Sequence, residues 1–340
     1  MILWYLLKSE HTFFHIFIDD SEKRNGYESV SCERICCIFA ESFAMNQSHF
    51  PGQYSTDSDL SDYYAHPSGG QPGGMRPYDI KKIEDLSLNA WPSWQMQVYD
   101  GWILRFSHFY THRTNSVEQI GPSAIPLPEK IAFCEEVYRD WGTPCAFKIS
   151  PVGDPALDGM LEERGYGIEH ATTVMVRGLA RGTDSGTGAD PDSDCSLQKA
   201  DSEPDFTFRV TGIVDPVWLN ALFDLKGEVN PIHRRIVPNM YAAIPKKQIP
   251  VLVQDGGRIV GTGLGILDRD AVGVYAIHVA EDYRRRGVGG RIVRTVLREA
   301  AERGAVSAYL QVVSDNAPAK ALYRNLGFSD FYRYYFRVLR

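Results

Sequence analysis

The sequence has no unbroken apolar run of the roughly 20 residues that a membrane-spanning helix requires. Met1 to Leu7 are apolar, but Lys8, Glu10 and His11 interrupt them and no basic flank precedes them. There is no long basic run, and the formal net charge is −7. The chain therefore lacks the counterion-displacing face of a general nucleic-acid binder, and neither nucleic acid nor membrane is expected as a partner. Cysteine is scarce, at six in 340 residues: Cys32, Cys36, Cys37, Cys134, Cys145 and Cys195. No two have the spacing that closes a zinc knuckle, so no metal site is expected from them. A chain of this length builds a core without disulfides, and free thiols in a reducing cytoplasm are the expectation.

What is present is globular in character, 44% hydrophobic and 23% charged. Residues 1–43 are expected to be an extension upstream of a start at Met45 or Met75. The Ser-, Asp-, Gly- and Pro-rich stretch 46–76 buries too little apolar surface to offset its ordering entropy and is expected to be disordered. A similar stretch, 181–205, reads as a linker. These segments mark off two units, 77–180 and 206–340, within an α/β chain of mixed sheets flanked by helices.

The two units share a plan. A strand, a long helix, a strand, a short helix ending in Gly-aromatic and a final strand follow in the same order. Gly165-Tyr166 in the first unit matches Gly327-Phe328 in the second. Five elements in register point to a duplicated domain.

Chemistry concentrates in the second unit. Arg284-Arg285-Arg286-Gly287-Val288-Gly289-Gly290 lies between a strand and a long helix. Glycines let successive backbone N–H groups approach a phosphate, the helix start adds its positive dipole end, and arginines neutralise further charge. No Gly-Lys-Ser/Thr follows, so this is not a P-loop. The glycine spacing is also wrong for a dinucleotide fingerprint. Downstream, "YLQVVSDNAPAKALYRNLGF" supplies Asn316 at a helix start, Tyr323 at mid-helix and Gly327 as the stop.

Together, Arg-x-x-Gly-x-Gly and Asn-x-x-Ala-x-x-x-Tyr-x-x-x-Gly-Phe resemble the GNAT superfamily of N-acetyltransferases over roughly residues 206–340. The resemblance implies a V-shaped splay beside the strand Ile277-His278-Val279, whose free backbone groups bind the pantetheine arm of acetyl-CoA. It places the pyrophosphate on Arg284, Arg285, Arg286, Gly287, Val288 and Gly289, and a cofactor contact on Asn316. It makes Tyr323 the general acid that protonates the departing CoA thiolate. A phenol near pKa 10 is protonated at neutral pH and faces a thiolate whose conjugate acid lies near about 8.5. The acceptor is a small-molecule amine or a protein or peptide amine, and a homodimer is compatible with the family. A non-catalytic CoA-binding or protein-interaction module is the alternative.

The general base stays open. Tyr275 and Ile277 share a strand face with Val279, and a regular strand turns His278 the other way. Glu228 and His233, between the first two helices, read as surface or pocket-lining residues. Tyr332, Tyr334, Tyr335 and Phe336 fit either a pocket wall or alternating strand packing. Asp100-Gly101-Trp102-x-Leu104-Arg105 and Arg113-x-Asn115-Ser116-Val117 resemble the front half of bacterial tandem GNAT proteins. Here Leu161 stands where the second unit has Tyr323, and "GPSAIPLP" replaces the arginine-glycine loop. The first unit is thus expected to be degenerate and to serve structure or acceptor shaping.

Overall fold

A computed structural model describes residues 80–179 and 206–339. The expectations for the extension, for the stretch 46–76 and for the linker 181–205 lie outside the described residues. So do Cys32, Cys36, Cys37 and Cys195, whereas Cys134 and Cys145 are buried free thiols.

The first half runs α1 (Ile80–Ala90), β1 (Gln95–Tyr99), β2 (Trp102–Phe106), β3 (Val117–Gln119), α2 (Leu127–Asp140), β4 (Cys145–Ile149), α3 (Pro155–Glu163) and β5 (Gly167–Gly178). The second half runs β6 (Thr207–Val210), α4 (Pro216–Lys226), α5 (Pro231–Ala242), β7 (Lys247–Asp255), β8 (Arg258–Asp268), β9 (Ala271–Val279), α6 (Val288–Glu302), β10 (Ser307–Val313), α7 (Ala317–Asn325) and β11 (Ser329–Leu339). Helix starts follow local chemistry. Asp154, Asp215, Asn230 and Asn316 cap α3, α4, α5 and α7 with side-chain oxygens, and each is followed by proline in the first turn. The β7–β8 hairpin turns on Gly256 and Gly257, with φ of 52° and 88°, the left-handed pair that a two-residue hairpin needs.

All the strands join one sheet in the order β1-β2-β3-β4-β11-β5-β10-β9-β8-β7-β6. The halves do not close separately. The last strand of the second half, β11, pairs antiparallel with β4 of the first, and β5 pairs antiparallel with β10. Each half lends its final strand to the other, and β5 and β11 pair at the centre. The duplication is therefore a strand-exchanged one, with the order β1-β2-β3-β4-β11 mirrored by β7-β8-β9-β10-β5.

Four apolar clusters hold the layers together. In the largest, α6 buries Val288, Ile292, Val293, Val296, Leu297 and Ala300 on β7 to β10. Each such valine, isoleucine or leucine side chain removed from water contributes about 1.5–3 kcal/mol. The helix lies close to the sheet because β8 presents glycine beneath it. A Cβ at Gly263 would stand 2.2 Å from Ile292 Cγ2, and one at Gly265 would stand 2.6 Å from Val296 Cγ1. Tyr332, Tyr334 and Phe336 are buried in a separate cluster with Ile83 and Leu86. Strand packing accounts for these three aromatics, and they do not line the cleft described below.

Candidate active site

The site is built where β9 parts from β10. Ser307 to Leu310 pair with Ala271 to Val274, and pairing stops there although both strands continue, to Val279 and Val313. The edge of Tyr275 to Val279 that faced β10 is thus left without a strand partner, while the other edge stays on β8. Such a row of free N–H and C=O groups binds an extended ligand as an added strand does.

A bulge sits at the point of divergence. The β8–β9 register passes from Leu264 opposite Tyr275 to Thr262 opposite His278, so Ala276 and Ile277 face Gly263 alone. Ala276 adopts φ 51°, a left-handed conformation that costs a residue with a Cβ roughly 1–2 kcal/mol. Thr262 Oγ1 donates to the Ala276 carbonyl at 3.2 Å and ties the bulge down. The extra residue resets the alternation of side chains. Tyr275, Ala276 and His278 line one cleft, while Ile277 and Val279 pack on the core beneath α6. The regular-strand expectation, with His278 turned away from Tyr275, is overturned by this one left-handed residue.

After a single helical turn at Glu281–Tyr283, the loop Arg284–Gly287 leads into α6. Arg285 and Gly287 have φ of 60° and 76°. The first intrahelical bond runs from Arg291 N–H to the Gly287 carbonyl, so the N–H groups of Val288, Gly289 and Gly290 have no acceptor within the helix. The Val288 side chain is buried, so only its backbone is available to a ligand. Arg284, Arg285 and Arg286 are exposed, and none has an ion-pair partner among the described residues. The Arg286 guanidinium lies 4.8 Å from the centre of the Tyr283 ring, whose hydroxyl donates to Asp255 at 2.8 Å. Three unpaired cations around a row of free N–H groups, next to an unpaired strand edge, fit a diphosphate joined to an extended amide-bearing arm.

The helix α7 borders this cradle. A Cβ at Gly289 would touch Leu322 at 3.5 Å and Val279 at 3.8 Å, so the start of α6, the end of β9 and α7 converge there. Tyr323 is half-buried beside Leu322, with its ring edge-on to Phe328. Burial pushes its phenol up to about 12. Asn316 uses Oδ1 to accept from Ala319 N–H at 3.1 Å, which leaves its amide nitrogen for a ligand.

On the opposite side of β9 lies a solvent-open cleft of about 610 Å³, lined from both halves. The second half contributes Lys226, Tyr241, Tyr275 and His278, and the first half contributes Trp91, Tyr110 and Arg113. The His278 ring is half-buried, and its proton affinity is lowered by burial and by the charges of Lys226 and Arg284. Arg113 donates to Gln311 at 2.9 Å, and Lys226 stands 3.8 Å from the centre of the Tyr110 ring. The first-half loop is held by Asn115, whose Oδ1 accepts from Ser107 N–H and Phe109 N–H at 2.6 and 2.9 Å, and whose amide donates to the Thr111 carbonyl. In the sequence Arg113 and Asn115 stand out only as members of a motif. Trp91, Tyr110 and Tyr241 carried no signal, because they meet only when the halves share a sheet.

Glu228 and His233 form a bracket and not a reactive pair. His233 Nδ1 faces Glu228 Oε2 at 3.3 Å, and Nε2 faces the His108 carbonyl at 3.0 Å. Both ring nitrogens are turned to oxygens, and neither is directed at the cleft. The Glu228 carboxyl is held below its ordinary value: burial opposes this, but the Asn230 N–H, His233 and Lys226 outweigh it.

Known proteins give this geometry a context. Residues 218–328 match the family model described as Acetyltransferase (GNAT) family. Residues 78–205 match one described as Probable histone acetyltransferase Rv0428c C-terminal. The uncharacterized N-acetyltransferase YobR of Bacillus subtilis is 26% identical over 262 residues, which cover 77% of this chain and 99% of that protein. The N-alpha-acetyltransferase RimI of Mycobacterium tuberculosis is 41% identical over 91 residues, 25% of this chain and 56% of that one. A GCN5-related N-acetyltransferase from Kribbella flavida shares the fold with a TM-score of 0.54 at 15% identity, covering 76% of this chain and 94% of that one. Among the described residues no helix is long and apolar enough to cross a membrane.

Proposed function

We propose that this chain, a GNAT acetyltransferase in its C-terminal half, transfers the acetyl group of acetyl-CoA to a small amine seated in the cleft between the halves. The observation that carries this reading is that one segment, Ala276 to Val279, borders both the phosphate cradle and the cleft. Its free edge faces the splay, and its His278 side chain faces the cleft.

Acetyl-CoA, when bound, supplies the activated thioester. Arg284, Arg285, Arg286 and the N–H groups from Gly287 to Gly289 hold the diphosphate, the Asn316 amide bonds the arm, and the backbone of Ile277, His278 and Val279 aligns it. His278 Nε2 or Nδ1 accepts the proton of the acceptor amine. Burial lowers the proton affinity of Lys226 as well, but its ammonium is turned to Glu228 and the Tyr110 ring, which leaves the His278 imidazole as the acceptor. Tyr323 lies on the cradle side, where the thiolate leaves. With its phenol near about 12, its proton stays on oxygen at neutral pH, and it stabilises the thiolate chiefly as a hydrogen-bond donor. The cleft carries Lys226 and Arg113 and no carboxylate in its lining, which favours an acceptor that bears an anionic group beside its amine over a polycation.

Isothermal titration of acetyl-CoA, CoA and NAD into the full chain tests the reading, with Gly287→Glu as the comparison. Saturable binding of acetyl-CoA and CoA, lost in the variant, is expected. Well-folded protein that binds neither would overturn it.

A further inference from the structure

The loop that walls the cleft has a second side. Residues 107–114 present Tyr110, Thr111 and Arg113 to the cleft, while His112 turns to β5. There a second bulge occurs. The β5–β11 register passes from Tyr334 opposite Thr172 to Phe336 opposite Glu169, so His170 and Ala171 face Tyr335 alone. His170 takes φ 50°, and Thr172 Oγ1 donates to its carbonyl at 2.8 Å. In a regular strand, Glu169 and His170 would point to opposite faces. The bulge brings both toward His112. His112 Nε2 stands 2.9 Å from Glu169 Oε2, and the two imidazole rings lie 4.1 Å apart between centres. One donor atom from each of the three side chains lies within 4.8 Å of the others. Phe109 and Phe336 pack against the His112 ring and shield this side from water.

From this convergence we infer that His112, Glu169 and His170 bind a divalent transition metal, for which Zn²⁺ is the best-suited ion. Two imidazoles and one carboxylate form a borderline donor set that suits Zn²⁺ and disfavours Mg²⁺ and Ca²⁺, which take all-oxygen shells. Donors at about 2.0–2.1 Å from a tetrahedral ion stand about 3.3 Å apart. The His112–Glu169 pair, at 2.9 Å, opens by a few tenths of an ångström to reach that spacing, and the exposed His170 side chain closes the remainder by a rotamer shift. Water completes the shell. The site faces away from the cleft, so its role is to fasten the loop. The ion ties residues 107–114 to β5 and fixes the wall made by Tyr110, Thr111 and Arg113. It is independent of the acetyl-transfer reading.

The test is titration of ZnCl₂ into the chelator-stripped full chain against a chromophoric competitor. His170→Ala and His170→Cys serve as the variants, because position 170 is exposed and its loss leaves the core intact. One Zn²⁺ per chain is expected, with affinity falling about 10-fold or more in His170→Ala and recovering in His170→Cys, which restores a zinc donor. Co²⁺ substitution should give visible d–d bands that His170→Ala alters, and Mg²⁺ should not compete. Absence of stoichiometric Zn²⁺ binding, or binding of equal strength in wild type and His170→Ala, would overturn the inference.

Discussion

Two helices begin at matching places in the two halves, and they treat the same electrostatic opportunity differently. At the start of α6 the backbone N–H groups have no acceptor within the helix, and the three arginines that precede them are exposed and without an ion-pair partner among the described residues. Before α2, in the loop ahead of its Pro126 cap, the N–H groups of Ala124 and Ile125 are already taken. They donate to the Asp100 carboxylate, Ile125 at 2.8 Å, and the Ser123 hydroxyl donates to it as well. Those bonds, led by Ile125 and Ala124, hold the Asp100 carboxyl well below the usual carboxylate range. The fully buried Lys130 balances the charge. The first half thus occupies the N–H groups of the loop before its long helix with its own carboxylate.

The contrast extends down the sheet. Where β9 and β10 part, the second half leaves an unpaired strand edge. Where β3 and β4 run side by side, paired only at Val117 and Phe147, the first half places a buried charge network. Glu118 accepts from Arg105 at 2.9 Å and from Lys148 at 3.3 Å, and Lys148 pairs with Glu84 at 2.7 Å. Leu161 is fully buried in the first-half core, at the place that Tyr323 holds in the second. One half spends its irregularities on ligand groups and the other on structure.

Substitutions sharpen that comparison. The largest effect is expected at Tyr323→Phe, with kcat reduced by about 10²- to 10⁴-fold and acetyl-CoA affinity retained. The matching Leu161→Met should leave turnover unchanged, and steady-state rates beside titration separate the two. Next, Glu118→Gln leaves Lys148 and Arg105 buried with one carboxylate fewer and should cost about 3–5 kcal/mol in urea unfolding. Its sign with pH follows from the lowered Glu118 carboxyl, in which burial is outweighed by Lys148 and Arg105. The stability it contributes is present above the unfolded carboxyl value of about 4.3 and disappears as pH falls below it, so the variant and wild type should converge in acid.

A smaller effect concerns pH and turnover. His278 must be neutral to take a proton, and burial with Lys226 and Arg284 lowers its value. The acid limb of kcat/KM should therefore fall below the free-imidazole value of about 6.5, and His278→Gln should remove that limb. A limb unchanged in the variant would assign the proton acceptor elsewhere. The smallest effect is expected at Asp100→Asn. Thermal stability should drop modestly, and titration should still find one acetyl-CoA per chain. A second equivalent would mean that the first-half cradle is only plugged and still competent.

Much of this was legible in the chain. Arg284 to Gly290 could be read as a glycine- and arginine-rich loop between a strand and a long helix, and the structure has that loop between β9 and α6. The start of α7 followed from Asn316, and Leu161 stands in the first half where the second has Tyr323. Two strands escaped notice for opposite reasons. The edge strand β1 is exposed along nearly its whole length and has no buried face to impose alternation, and β6 is only four residues long.

What the sequence by itself determined are the features set by local backbone chemistry: the loop, the cap at Asn316 and the order of elements. The tertiary structure alone decided which faces meet. The exchange of β5 and β11 is invisible in either strand, because an apolar run specifies that it is buried and not which neighbour buries it. The bulges at Ala276 and His170 carry no glycine to announce them. They persist because pairing on both sides over-determines the strand, and each turns a histidine to a face that simple alternation would have denied it.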